Sequence, residues 1–118
     1  MASFGKIIEP YVTREIDLSR INTDSEFRHL ERAHVIGQES TTQHVRVHWQ
    51  MLLFSVRNKM PKEFLGQVFR VAGAASKTAV GLVPRGNTGG SNISPFKKMP
   101  IPDDLQVIID SAKHESRA

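Results

Sequence analysis

The feature that most restricts the fold is a helical periodicity that only short breaks interrupt through the first 80 residues. Apolar residues recur three or four positions apart in four successive segments, a spacing that places them on one face of an α-helix. The breaks are a few residues long, and short connections favour antiparallel neighbours. No segment has a convincing strand pattern. The sequence therefore predicts an all-α fold, a small antiparallel helical bundle of four to five helices.

Local signals place the ends of the first two helices. The first covers residues 4–20, or begins only at Pro10, because an interior proline kinks or breaks a helix. Thr23–Glu26 matches a capping box, in which a Thr side chain and a Glu side chain satisfy the amides of the first turn. The helix that it opens is predicted to run to about Ile36, with Gly37 as a left-handed C-cap.

A second capping box, Ser40–Gln43, predicts a third helix that runs to about Arg57. Pro61 suits the first position of a fourth helix, predicted to end near Gly81. The only tryptophan, Trp49, is predicted to be a core residue of the third helix. It belongs to a stripe at helical spacing whose other members are Val45, His48, Leu52 and Val56.

Residues 81–102 contain four prolines and four glycines, which interrupt any period. We expect a long loop here, before a last helix that Asp103 caps. Loops of this length inside a compact domain are usually functional or disordered. Because the loop leads into a further helix, residues 1–118 are interpreted as a single helical domain.

Composition limits the classes of partner. The 16 Lys and Arg residues give a net charge of +4, but they are scattered and aromatic content is only 7%. Nucleic-acid binding is therefore not expected, because such proteins usually concentrate charge on one face. No signal peptide or membrane span is evident, so a cytoplasmic location is the default expectation. The absence of cysteine excludes thiolate metal sites and cysteine nucleophiles.

Three histidines and a glutamate surround the turn between the second and third helices. Glu31 and His34 share one helix face, as do His44 and His48, because residues three or four apart are neighbours. Counted outward from the turn, His34 falls level with His44, and Glu31 falls level with His48. The two pairs can therefore meet between the helices.

Two interpretations of this cluster remain open. Three imidazoles and a carboxylate suit a divalent transition metal, namely Zn, Fe, Ni or Cu, rather than Ca or Mg. Alternatively the cluster is structural, with Glu31 as a hydrogen-bond partner that holds the hairpin in register. His29 points away from the others and is expected at the surface or against the first helix. His114 is expected to be exposed.

The glycine-rich segment invites an anion-binding hypothesis, although it lacks the Gly-Lys-Ser/Thr of a Walker loop. Its backbone amides form a candidate ligand or anion loop. The residues concerned are Gly86, Asn87, Thr88, Gly89 and Gly90. The alternative is an ordered turn that steers the chain across the bundle.

Four segments together resemble a small bacterial family known only as a domain of unknown function. They are HLERAHVIGQ, HVRVHWQML, VPRGNTGGSN and MPIPDDL, and the resemblance covers roughly residues 26–107. It implies an all-helical fold and no activity. The joint occurrence of the histidine hairpin and the GNTGG loop in this pattern suggests that they share a site.

The sequence thus supports a small helical protein that binds a transition metal through Glu31, His34, His44 and His48. The alternative function is a helical protein-interaction or homodimerising module in which the cluster is structural. A third hypothesis is metal-free acid–base catalysis, with Thr88 or Ser91 as the nucleophile. Whether the chain is an enzyme stays open at this point.

Overall fold

The computed structural model describes residues 2–79, 85–91, 93, 94 and 97–117. Within this part the chain forms five α-helices and no strand, which confirms the all-α prediction. None of these helices is both long and apolar enough to cross a membrane. The helices are α1 (Phe4–Ile21), α2 (Glu26–Gly37), α3 (Thr41–Arg57), α4 (Pro61–Ala79) and α5 (Asp103–Arg117).

Helix α1 begins before its proline, so a start at Pro10 was the wrong alternative. Ser3 is the N-cap, and its side chain accepts a hydrogen bond from the Lys6 amide. Pro10 lies inside the helix and costs it one backbone hydrogen bond. On either side of it, Ile8 and Val12 are completely buried, and this packing outweighs the loss.

The second helix departs from prediction at both ends. Thr23–Ser25 forms a short 3₁₀ turn, and α2 begins only at Glu26 without a side-chain cap. Gly37 is not a left-handed C-cap, because the helix continues through it. A Cβ on Gly37 would stand 3.0 Å from the Gln43 side chain, so the glycine allows α2 and α3 to approach. The Ser40 cap of α3 is confirmed, since its hydroxyl accepts from the Gln43 amide.

The hydrophobic core is built by α1, α2, α3 and α5. Each contributes one stripe of apolar side chains that are almost completely inaccessible to solvent. The largest are Ile8 and Ile16 from α1, Leu30 and Ile36 from α2, Met51 from α3, and Leu105 and Ile109 from α5.

Helix α4 lies at the edge of the bundle. Among the described elements, it packs against α3 alone. Its polar residues Glu63 and Gln67 face inward and are buried, whereas Phe69 is 76% exposed. The prediction that Trp49 is a core residue is wrong, because its side chain is half exposed. Trp49 lies on the outer side of α3, opposite the side that carries the buried Val47 and Met51.

A buried carboxylate ties α1 to α2 and α5. Glu15 accepts hydrogen bonds from His29 Nδ1, at 2.9 Å, and from Arg32 Nε, at 3.1 Å. Arg32 also pairs with Asp104, and its guanidinium lowers the pKa of that carboxyl. His29 therefore packs against the first helix, outside the cluster formed by His34, His44 and His48.

Candidate metal centre

The hairpin of α2 and α3 brings three imidazoles together at one point. His34 projects from α2, and His44 and His48 project from successive turns of α3. The Nε2 atom of His34 lies 3.0 Å from that of His44 and 3.1 Å from that of His48, and the last two are 3.2 Å apart. We call these three residues the histidine triad. Such a group could hold a metal ion.

All three members of the triad are buried, with exposures of 3% for His34 and His48 and 7% for His44. Burial, followed by the facing imidazoles of His48 and His44, keeps the pKa of His34 well below its ordinary value. His34 is therefore neutral near neutral pH, which is the form that binds metals.

The outward-facing ring nitrogens of two histidines are held by oxygen acceptors. His34 Nδ1 donates to the backbone carbonyl of Asn87 at 2.5 Å. His48 Nδ1 donates to Gln67 Oε1 at 2.6 Å. Because a carbonyl oxygen only accepts, both Nδ1 atoms must carry the proton. In the neutral rings the Nε2 atoms are then lone-pair donors aimed at the centre of the triad.

The orientation of the Gln67 amide follows from its other contacts. Its nitrogen donates to Glu63 Oε2 at 2.7 Å and to the carbonyl of Gly89 at 3.0 Å. Both partners are acceptors, so the amide nitrogen must face them and the amide oxygen must face His48. Glu63 in turn accepts from the amide and hydroxyl of Ser91. A continuous chain of hydrogen bonds thus runs from the glycine-rich loop to a triad imidazole.

Two glycines of the loop have conformations that other residues rarely adopt. Gly86 and Gly89 have φ angles of 77° and 85°, in the left-handed region. A Cβ on Gly86 would stand 1.8 Å from the Met99 carbonyl oxygen, and one on Gly89 would stand 2.5 Å from the His34 ring. The loop therefore packs directly on the triad, so the two sequence motifs are neighbours in the fold.

Of the five residues of the anion-binding hypothesis, Asn87 and Gly89 lie against His34, and several backbone groups of the loop already have hydrogen-bond partners. The amide of Gly89 donates to Asn87 Oδ1, and the carbonyls of Gly89 and Gly90 accept from Arg70. The next amide, that of Ser91, donates to Glu63. Anion binding by this loop stays a prediction, and the observed contacts indicate a support for the histidines.

Glu31, the fourth predicted ligand, is half-buried one turn before His34. The ligand atoms of the triad all lie within 4.8 Å of one another, and the Glu31 carboxylate is not part of this group. It accepts a hydrogen bond from Thr88, while burial raises its pKa. Coordination of a metal by Glu31 therefore stays a prediction.

Sequence reasoning missed the three residues of α4 that support the site. Glu63, Gln67 and Arg70 lie at positions i, i+4 and i+7, on one face of a helix whose opposite face is apolar. That polar stripe was the signal available in the sequence. The sequence does not show, however, that this polar stripe rather than the apolar face of α4 turns inward.

Comparison with known protein families identifies the chain only as far as its family. A family model described as "Protein of unknown function (DUF3703)" matches residues 8–109, and the chain belongs to this family. The resemblance to a family of unknown function is thereby confirmed. No curated protein and no solved structure matches the chain.

Proposed function

We propose that this protein binds one divalent transition-metal ion through the Nε2 atoms of His34, His44 and His48. The observation that carries the proposal is the convergence of three buried Nε2 atoms at 3.0 to 3.2 Å. Two of the rings are fixed from behind by hydrogen bonds that leave these nitrogens unprotonated.

Hydrogen bonding alone does not account for the arrangement. The Nε2 atoms of His34 and His48 are 3.1 Å apart, and each presents a lone pair. A contact between two lone pairs is repulsive unless a cation lies between them. A proton is a poor candidate, because the buried position lowers the pKa of His34 well below its ordinary value. A metal ion needs neutral imidazoles and would turn this repulsion into coordination.

The spacing of the nitrogens fits first-row metal coordination. An ion about 2.05 Å from each Nε2, a usual Zn–N distance, would lie roughly 1 Å outside the plane of the three nitrogens. With the observed separations, the N–metal–N angles would be about 98°, between octahedral and tetrahedral values. Only small side-chain adjustments would therefore be needed on binding.

The contacts behind the triad also resemble those of known metal sites. Metal-bound histidines usually donate their second N–H to a carboxylate, a backbone carbonyl or water, and such partners orient the ring. Asn87 supplies a backbone carbonyl for His34, and Gln67 supplies an amide oxygen for His48. These partners favour a metal site over a purely structural cluster.

The three imidazole donors restrict which metals can bind, and they leave a coordination position free. Neutral imidazoles suit Zn, Fe, Ni and Cu, which remain the four candidates. Three protein ligands leave room for water, for a substrate or for a fourth side chain, as in catalytic zinc sites. Glu31 is the candidate for that fourth ligand. Metal handling and a metal-assisted reaction are both compatible with an open position.

The test is metal loading of the full chain, with two histidine substitutions. Purified protein is stripped with a chelator, dialysed against each of the four metals and analysed for bound metal and for affinity. We expect about one equivalent in the wild type. His44→Ala is the informative variant, because His44 is the most exposed member of the triad. Loss of this ligand should weaken metal binding about 100-fold or more. Structural zinc sites bind the metal with a free energy of about 10–16 kcal/mol, which is shared among their ligands.

His114→Ala is the matched control, since it removes an exposed histidine from α5 and should leave binding unchanged. Circular dichroism of each variant confirms that the helices remain folded. Retention of less than about 0.1 equivalent of every metal by the folded wild type would refute the proposal. Equal losses of affinity in the two variants would show that binding is nonspecific.

A further inference from the structure

We propose that a second copy of this chain docks on the outer face of α3 and α4 to form a two-fold symmetric dimer. By the outer face we mean the exposed apolar side chains along this helical hairpin. They are Trp49, Val56, Phe64, Leu65, Val68 and Phe69. This interface is independent of the proposed metal site, which lies on the inner side of the same two helices.

The orientation of α4 is the reverse of that expected for a surface helix in a monomer. Surface helices normally turn their apolar stripe toward the core and their polar stripe toward water. Here Glu63, Gln67 and Arg70 point inward to support the loop and the triad. The apolar stripe, including Leu65 and Phe69, is consequently left in solvent.

The middle of the outer face lacks charge, and the exposed Lys62 lies at its end, near the α3–α4 connection. Arg70 is the one charged residue of α4 between Phe64 and Ala75, and its guanidinium donates to carbonyls of the loop. On α3, Arg46 turns toward α1 and donates to Thr13 at 3.0 Å. Complementary charges usually select and steer a different protein partner. The stretch of the face between Phe64 and Phe69 has no such selector, and a second copy supplies an identical apolar surface.

The area of the face is close to what a stable dimer requires. Phe69 is 76% exposed, Leu65 58%, Val56 56% and Trp49 50%. With about 150–250 Å² for a whole aromatic side chain and less for an aliphatic one, the six residues expose roughly 600 Å². A standard interface buries about 800 Å² on each partner, whereas the largest patch on a monomer is about 300–600 Å². Polar residues at the rim would supply the remainder.

The shape of the face suits self-association. Residues 58–60 form a short connection, so α3 and α4 are antiparallel neighbours that present a ridged, elongated surface. Two such hairpins related by a two-fold axis would pack as a four-helix layer, and two-fold dimers are the commonest soluble oligomers.

Sedimentation velocity of the full chain tests this proposal directly. At about 100 µM we expect a species with twice the chain mass of 13.2 kDa. This result corresponds to a dissociation constant in the micromolar range or below. Phe69→Asp should raise the dissociation constant roughly 100-fold or more, because it places a charge in an apolar interface. The side chain is exposed in the monomer, so the fold should survive.

Ile21→Asp is the matched control, because Ile21 is equally exposed at 74% but lies at the end of α1, outside the outer face. It should leave the dimer intact. A wild type that stays monomeric at about 100 µM would overturn the proposal, as would a dimer that Phe69→Asp leaves unchanged. A monomer that cosediments with phosphatidylcholine–phosphatidylglycerol vesicles would overturn it in favour of a membrane surface.

Discussion

Gln67 offers the sharpest single perturbation of the site, because it joins α4, the loop and the triad. The side chain is completely buried, accepts from His48 and donates to Glu63 and to the Gly89 carbonyl. The substitution Gln67→Ala removes all three hydrogen bonds. The nearby histidines and their backbone remain in place, so the metal ligands themselves are unchanged.

The consequences can be estimated partner by partner. Glu63 keeps its bonds from Ser91, and the Gly89 carbonyl keeps its bond from Arg70. His48 loses Gln67 Oε1 as the acceptor of its Nδ1–H. A buried donor left without its partner costs about 1–3 kcal/mol of the free energy of unfolding. Loss of a partner that orients a metal-bound histidine lowers metal affinity about 10- to 100-fold.

The assay is competition for the metal against a chromophoric chelator, together with urea unfolding of the metal-free protein. Gln106→Ala is the control, because it removes a glutamine side chain from α5. That side chain donates to Asp110 and accepts from Arg85, and among the described contacts it has no hydrogen bond to the triad. The control should keep wild-type affinity. An unchanged metal affinity in Gln67→Ala would refute the reasoning that this residue orients His48, even if the variant were less stable.

Three further predictions concern the surroundings of the triad and the rest of the core. Gly89→Ala should reduce both metal affinity and the free energy of unfolding, the latter by about 1–3 kcal/mol, because its φ is 85° and a Cβ would strike the His34 ring. Titration with metal and urea unfolding check this, and wild-type values for both would contradict it. Glu15→Ala should cost about 1–3 kcal/mol in urea unfolding, because Arg32 and His29 lose a buried acceptor. Unfolding at an unchanged urea concentration would show that the pairing contributes nothing. In the metal-free protein, burial lowers the pKa of His34 below its unfolded value of about 6.5, so the unfolded chain takes up the proton first. The contribution of His34 to stability should therefore be complete above about pH 6.5. Below that pH the free energy of unfolding should fall by about 1.4 kcal/mol per pH unit, until the folded-state pKa is reached. A free energy of unfolding that does not change between about pH 7 and 5 would contradict this.

Some parts of the structure that depend on local sequence were predictable, although the capping box at Thr23 and the C-cap at Gly37 were not formed. The Ser40 cap and the short turn before α3 follow from residues close to one another in the chain. Helical periodicity brings His34 level with His44, and the structure places these two rings together. It also aligned His48 with Glu31, whereas in the structure His48 lies against His34. These contacts span at most 14 residues, so the geometry of one hairpin determines them.

The support of the triad was not predictable, because it depends on distant segments. The contact from His34 to the Asn87 carbonyl spans 53 residues, and nothing in either segment specifies the other. The exposure of Trp49 was missed for a different reason. An apolar stripe shows that a helix face avoids water, but it does not show whether the covering surface belongs to the same chain. Gly37 was assigned as a cap because close helix packing and a left-handed turn both favour glycine.

X-ray absorption at the K-edge of the bound metal tests the central claim most directly. The account predicts about three imidazole nitrogens at roughly 2.0–2.1 Å from a single metal, and a loss of imidazole scattering in His44→Ala. A protein that retains no metal, or a metal shell with fewer than two imidazoles, would contradict it.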